Sequence, residues 1–310
     1  NFEFSMNHAE DLCEVYQRFE ALHQLVSDYL EKGSHTLLGR GTNPNYPKAE
    51  VFHAPFSTYN MVESYLHAYG SEYPDFPAFM SSVQTHLDVD EKTLPLAYSF
   101  FAETDFLRGI LFHNSPDFEG KGYRIFRDHL WESSAFGKCP NITGAVDEHF
   151  NTVDDIIDFY LKKGLFNRIR NGKYEIFSPV IIKEYFENEI YGARAEDIEC
   201  YLSFRNVEAT ARGTLEIRSD CAQPDGRFFS PPAFNIGLLS NLEKARKRMK
   251  EFKKSNGITL SNSAMRKIVT DGLPYSGIAP QEELDKLCGD MTDISKEGLL
   301  MRGMGEEALL

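Results

Sequence analysis

No stretch of this 310-residue chain approaches the roughly 18 consecutive apolar residues that a membrane-spanning helix needs, and nothing at its start reads as a secretory leader. Cysteine is scarce. The five residues Cys13, Cys139, Cys200, Cys221 and Cys288 are odd in number, scattered, and nowhere spaced C-x-x-C. That argues against a disulfide scaffold or a zinc ribbon and fits reduced thiols in a cytoplasmic protein. Positive charge is also short, with 33 lysines and arginines against 47 acids and a formal net charge of -14. A nucleic-acid surface needs a basic stripe, and an anionic lipid surface needs basic clusters, so neither partner is expected. A small anionic substrate stays open, because a few local arginines, aided by metal ions, override the global field. Also missing are G-x-S-x-G, H-E-x-x-H and a Walker-type Gly-Lys-Ser/Thr. The turn Gly39-Arg40-Gly41-Thr42-Asn43-Pro44 contains G-x-G, but Pro44 stands where a dinucleotide fingerprint has its third glycine.

What is present suits a soluble enzyme. Hydrophobic residues make up 42% of the chain, enough for a sizeable core. Apolar positions Leu12, Val15, Phe19, Leu22, Val26 and Tyr29 form a helical stripe ended by Gly33. Phe2-Glu3-Phe4-Ser5 and Met80 to Asp90 alternate as strands do. Leu94 to His113, Val153 to Lys163, Lys183 to Tyr191, Phe234 to Lys254 and Pro280 to Leu310 read as helices, and Phe204 to Asp220 is strand-rich. Helices and strands do not alternate as βαβ units, which predicts an α+β fold with helices packed on an antiparallel sheet. No repeat or linker divides residues 1–310, so one domain is expected, and both ends read as cut: the chain opens at Asn1 in a strand pattern and closes inside an apolar helical face.

The most informative run is Arg212-Gly213-Thr214-Leu215-Glu216-Ile217-Arg218-Ser219-Asp220. Successive side chains of a strand point to opposite faces, so Thr214, Glu216 and Arg218 share one face, and Leu215 and Ile217 share the other. With Leu215 and Ile217 in the core, a carboxylate and a guanidinium stand side by side on the open face. The carboxylate suits a hard cation such as Mg²⁺, and the guanidinium suits a phosphate or carboxylate oxygen. Glu3, Gln84 and Glu216, on three strands, each offer a metal-capable oxygen. Arg127 and Trp131, four apart, share a helical face. They read either as a carboxylate grip with an aromatic wall or as a structural cation–π pair. His86, His113 and His129 are candidate bases with no Ser or Cys nucleophile beside them in the sequence.

Several segments, in order, resemble one family, the glutamate–cysteine ligases of the plant and proteobacterial type. They are Leu37-Leu38-Gly39-Arg40-Gly41-Thr42-Asn43-Pro44, Ser81 to Asp88, Leu111-Phe112-His113-Asn114-Ser115-Pro116, Glu119-Gly120-Lys121 with Arg127 to Trp131, Leu215 to Asp220, Pro232 to Leu239, and Lys296 to Gly303. The resemblance implies a fold like glutamine synthetase and the guanidino kinases, with an antiparallel sheet forming a funnel for ATP. It implies formation of γ-glutamylcysteine from glutamate, cysteine and ATP with Mg²⁺. Under it, Glu3, Gln84 and Glu216 are metal ligands, Glu216 and Arg218 act in catalysis, and Arg218 and Arg212 meet the phosphates. Arg127, Trp131, Asn114 and Tyr59 form the substrate pocket. The family's first strand, with its pair of glutamates, falls upstream of Asn1. His86 stands for an asparagine, Thr58 and Thr210 for arginines, and Cys221 for a small residue. The two lost arginines bear on which acid and amine are joined more than on ATP use. The other readings are a related carboxylate–amine ligase and a non-catalytic relative.

Overall fold

A computed structural model describes residues 2–46 and 54–310. In chain order it contains α1 (Leu12–Glu31), α2 (Ser57–Tyr69), β1 (Ser82–Asp88), α3 (Leu94–Glu103), α4 (Asp105–Phe112), α5 (Phe126–Ser133), β2 (Thr143–Gly144), α6 (Val153–Leu161), β3 (Gly164–Arg170) and β4 (Lys173–Ile181). There follow α7 (Ile182–Glu187), β5 (Phe204–Arg205), β6 (Val207–Ala209), β7 (Thr214–Cys221), α8 (Ser230–Ser240), α9 (Leu242–Ser255), α10 (Asn262–Thr270) and α11 (Gln281–Arg302).

The central sheet is small and antiparallel, in the order β1–β7–β6. Leu87, Leu215, Ile217 and Val207 leave one of its faces and join Phe234 and Leu238 of α8 and Met291 and Ile294 of α11 in the largest core cluster. Each such side chain, fully buried, contributes about 1.5–3 kcal/mol relative to exposure. Helices α8 and α11 cross at backbone distance, because a Cβ built on Gly298 would lie 2.0 Å from the carbonyl oxygen of Gly237. Only glycine fits there. A second cluster, rich in aromatics, lies between α2, α5 and the β3–β4 hairpin, and a third joins α1 to the start of α8 and the C-terminal turn. The hairpin closes through Asn171 and Gly172, both at positive φ (51° and 74°), a two-residue turn whose twist matches that of the strands it joins. Helix α6 opens with a Thr152–Asp155 capping box, worth about 1 kcal/mol.

Four expectations about the elements need correction. Residues 2–9 form no strand: no sheet edge pairs with their backbone, and Phe4 packs instead on Phe19 of α1, 5.3 Å between rings. The helix read over 94–113 divides at Thr104 (φ -93°, ψ 6°), which frees Asp105 and Arg108 to turn into the interior. The helix read over 234–254 begins earlier, at Ser230, where Pro231 and Pro232 fit its first turn. It then breaks at Asn241, whose side chain donates to the Ile294 carbonyl of α11 at 3.3 Å. The helix read over 183–191 ends at Glu187 and continues as a 3-10 turn, Glu189–Tyr191. Periodicity marks an apolar face but is blind to a polar residue that ends a helix to bond a neighbour. No helix of the described residues is long and apolar enough to cross a membrane.

Candidate active site

β7 lies between β1 and β6, and its alternation sets the site. Leu215 and Ile217 are fully buried in the core, while Thr214, Glu216 and Arg218 take the outer face. One row of that face runs His86 of β1, Glu216 of β7, Glu208 of β6, paired directly across the sheet. Arg218 Nε lies 3.3 Å from Glu216 Oε1, and His86 Nε2 lies 3.5 Å from the same oxygen. Among the described residues no hydrogen bond or ion pair engages Glu216 Oε2. The Glu216 side chain is 10% exposed and that of Arg218 22%, so the pair is recessed, not flush with the surface.

Two carboxylates opposite one another on adjacent strands would repel. Here Lys163 resolves the conflict. Its ammonium lies 2.6 and 2.7 Å from the two Glu208 oxygens, and Ser203 Oγ donates to Glu208 at 2.6 Å. Lys163 is capped by the rings of Tyr160 (4.0 Å) and Phe159 (4.7 Å). Burial pulls its pKa down to about 8, and Glu208 opposes that fall.

The regular alternation of β7 breaks once. Val83 faces Asp220, but Thr85 faces Ile217, so Arg218 and Ser219 together oppose Gln84. This β-bulge inserts one extra residue. As a result Arg218 stays on the outer face beside the exposed Gln84, while Asp220 turns inward and accepts a bond from Asn235 of α8 at 2.9 Å. Beneath the bulge lies a buried ionic cluster that periodicity does not show: Asp105, Arg108, Asp128, Asp220 and Arg266, all at most 4% exposed, with Arg127 at 8%. Arg108 Nη2 donates to Asp105 at 2.9 Å, and Arg266 Nε and Nη2 reach Asp128 Oδ2 at 2.8 and 2.7 Å. Three arginines formally balance three aspartates. Burial alone would raise Asp105, but Arg266 and Arg108 hold it below its ordinary value. At Asp220 burial wins over Arg108, and its pKa is raised.

The remaining candidates fall in different places. Arg127 sits on α5, with its backbone N–H donating to Ser115 Oγ (2.7 Å) and its Nη2 to the Arg218 carbonyl (2.9 Å). Among the described residues no cation–π pair joins Trp131, on the same helix, to Arg127. Trp131 stacks on Phe204 at 4.4 Å and meets Phe76 edge-on at 4.8 Å. The cation–π reading therefore fails, because one helical face here serves two different neighbours. Phe204 follows Ser203, whose carbonyl accepts from Arg218 Nη1, so Trp131 stands one layer behind the site. Asn114 is engaged as a frame, donating to the carbonyls of Gly39 (2.6 Å) and Ala222 (2.9 Å). Tyr59 is exposed on α2 beside Phe56, and Arg212 is exposed in the β6–β7 turn. Glu3 is exposed and accepts from Ser5 Oγ at 3.1 Å. Of the three oxygens read as one metal set, Gln84 and Glu216 stand on one face of the paired strands β1 and β7, and Glu3 is on no strand. Among the described residues the group of three acidic or histidine ligands close enough to share an ion is Glu63, His67 and Asp75, at the surface and apart from β7.

Lys163, Glu208, Asp105, Arg108 and Arg266 were missed in sequence. Asp105 and Arg108, charged and three apart in an otherwise apolar helix, and Lys163, just past an apolar helix, were the available signals. The pairing of Lys163 with Glu208 bridges 45 residues and leaves no local pattern.

Comparison with known families matches the model described as glutamate-cysteine ligase family 2 to residues 1–287. No curated protein matches the chain.

Proposed function

The chain belongs to glutamate-cysteine ligase family 2, and from that premise we propose that it joins the γ-carboxylate of L-glutamate to the amine of L-cysteine at the expense of ATP. The observation that best supports this reading is the recessed Glu216–Arg218 pair beside Gln84 on an open sheet face. A carboxylate is a poor electrophile. In the proposed reaction a γ-carboxylate oxygen attacks the terminal phosphorus of ATP, and ADP leaves. The free amine then attacks the acyl carbon of the resulting acyl phosphate, a proton departs from nitrogen, and phosphate leaves. No protein nucleophile is needed, so the chain's work is placement and electrostatics.

The donors present fit Mg²⁺, since Glu216 Oε2 and the Gln84 amide oxygen are hard ligands on one face. When bound, the ion would supply positive charge that screens the phosphates. Arg218 supplies a fixed positive charge to the transferring group, in a recess where it counts for more than in water. His86 and Arg218 both hold Glu216 Oε1, which orients the carboxylate. Lys163 pairs with Glu208, so Glu216 faces no uncompensated carboxylate across the sheet. Arg127 is assigned to the glutamate carboxylate, Tyr59 to the pocket wall with Trp131 backing that wall through Phe204, Asn114 to the frame of its rim, and Arg212 to the outer phosphates.

Glutamate labelled with ¹⁸O in its γ-carboxylate tests the route. One labelled oxygen should appear in the released phosphate. Unlabelled phosphate alongside amide product would overturn the acyl-phosphate route.

A further inference from the structure

Both carbonyls of the bulged pair are held by arginines from outside the sheet. The Arg218 carbonyl accepts from Arg127 Nη2 at 2.9 Å, and the Ser219 carbonyl accepts from Arg266 Nη2 at 3.3 Å. Ser219 Oγ receives a further bond from Arg108 Nη2 at 3.5 Å. Arg266 is 1% exposed and ties four elements together: it donates to the Asp105 carbonyl at the head of α4 (2.7 Å), to Asp128 of α5, and to β7, from its own place on α10. Gly109 makes room for it, because a Cβ there would lie 2.6 Å from Arg266 Nη1. The period of a strand is two, so moving the bulge by one residue would turn Ser219 outward and Arg218 inward. Bulges next to sites serve to aim a side chain.

Resting on the ligase reading above, we infer that Arg266 is a positioning residue. It touches no substrate, but by fixing the Ser219 carbonyl it decides that Arg218, not Ser219, faces the phosphates; Arg108, through Ser219 Oγ, is a weaker second anchor. Arg266→Lys keeps the charge between Asp105 and Asp128 but loses the fork that also spans to Ser219.

The test is calorimetric binding of a non-hydrolysable ATP analogue with Mg²⁺ to the full chain. The variants are Arg266→Lys, Arg218→Lys and their combination, with Leu284→Ala as a core control. Arg266→Lys should weaken binding about tenfold, and the double variant should bind no more weakly than Arg218→Lys alone, since coupled residues are not additive. Leu284→Ala should lower the melting temperature and leave analogue binding unchanged. Fully additive losses, wild-type binding by Arg266→Lys, or an equal loss in Leu284→Ala would overturn the inference. Should Arg266→Lys not fold, Gly109→Ala takes its place in the same cycle, because a Cβ there would lie 2.6 Å from Arg266 Nη1 and displace the guanidinium, with a loss of about two- to threefold expected to vanish in the Arg218→Lys background. Additivity there is equally fatal. Absence of any analogue binding by the wild-type protein would remove the ligase reading itself. Binding with additive losses removes this inference alone.

Discussion

On the helix-packed side of β7, Asp220 turns toward Asn235 and Arg108 in a cluster of charges shut away from solvent. On the outer side, two to four residues away, Glu216 and Arg218 form the same kind of pair within reach of water. The chemistry of the side chains is alike, and the difference lies in what surrounds them. The inner charges hydrogen-bond one another and the main chain, apart from Arg108 Nε and Asp220 Oδ1, which meet as an ion pair at 3.6 Å, so they hold geometry. The outer pair is engaged on one carboxylate oxygen and keeps capacity for a ligand. A bulge of one residue separates the two roles.

Removing one inner charge should therefore have the largest effect. Asp105→Ala leaves Arg108 and Arg266 without their shared partner and should cost about 3–5 kcal/mol of stability, read as a lowered melting temperature. A small shift would mean that the cluster admits water and that the two sides of β7 do not differ as described. Glu216→Gln is the counterpart on the outer face. It should lower turnover by about 10²–10³-fold or more, while stability stays within about 1 kcal/mol, because the amide preserves shape and a hydrogen-bond acceptor. A collapsed melting temperature would make Glu216 a structural residue like Asp220.

An intermediate case is Glu132 of α5, in a cleft of about 390 Å³ lined also by Arg205, Lys267 and Asp147. Burial first, then Asp128, raises its pKa from the ordinary 4.5 to about 7. The folded chain thus holds this proton more tightly than the unfolded chain. The associated stability is present in full below pH 4.5 and is lost as pH rises to 7. Glu132→Gln should flatten that slope and stabilise the protein at pH 8 by about 1–3 kcal/mol in chemical unfolding. An unchanged slope would place the titration elsewhere. Arg212→Ala marks the lower end. Its side chain is exposed and screened, so KM for ATP should rise less than about threefold, with no change in melting. A large rise would extend the working face to the β6–β7 turn.

The outer face was the legible one. Leu215 and Ile217 against Glu216 and Arg218 is a period-two pattern within one strand, and the facing of β7 follows it as far as Arg218, with Leu215 and Ile217 in the core and Glu216 in the row of His86 and Glu208. The same logic carried past Arg218 would put Asp220 on the outer face, and there the bulge overrides it. Helix α1 was readable because its stripe is long and local. The breaks at Thr104 and Asn241 were not, since Asn241 serves a carbonyl 53 residues along the chain and Thr104 serves a buried arginine, Arg108, whose own partners include Asp220 on β7. Gln84 and Glu216 come onto one face because β1 and β7 pair, whereas Glu3 does not, because its alternation lacks a strand to pair with. The Asn171-Gly172 turn was a local hairpin signal that went unused.

The most direct measurement is ADP release by the full-length protein with Mg²⁺, ATP and glutamate, comparing cysteine with a panel of other amines, in wild type and in Glu216→Gln. The account expects release that requires cysteine and disappears in Glu216→Gln. Release with another amine alone, no release with any amine, or equal release by the folded Glu216→Gln protein would contradict it.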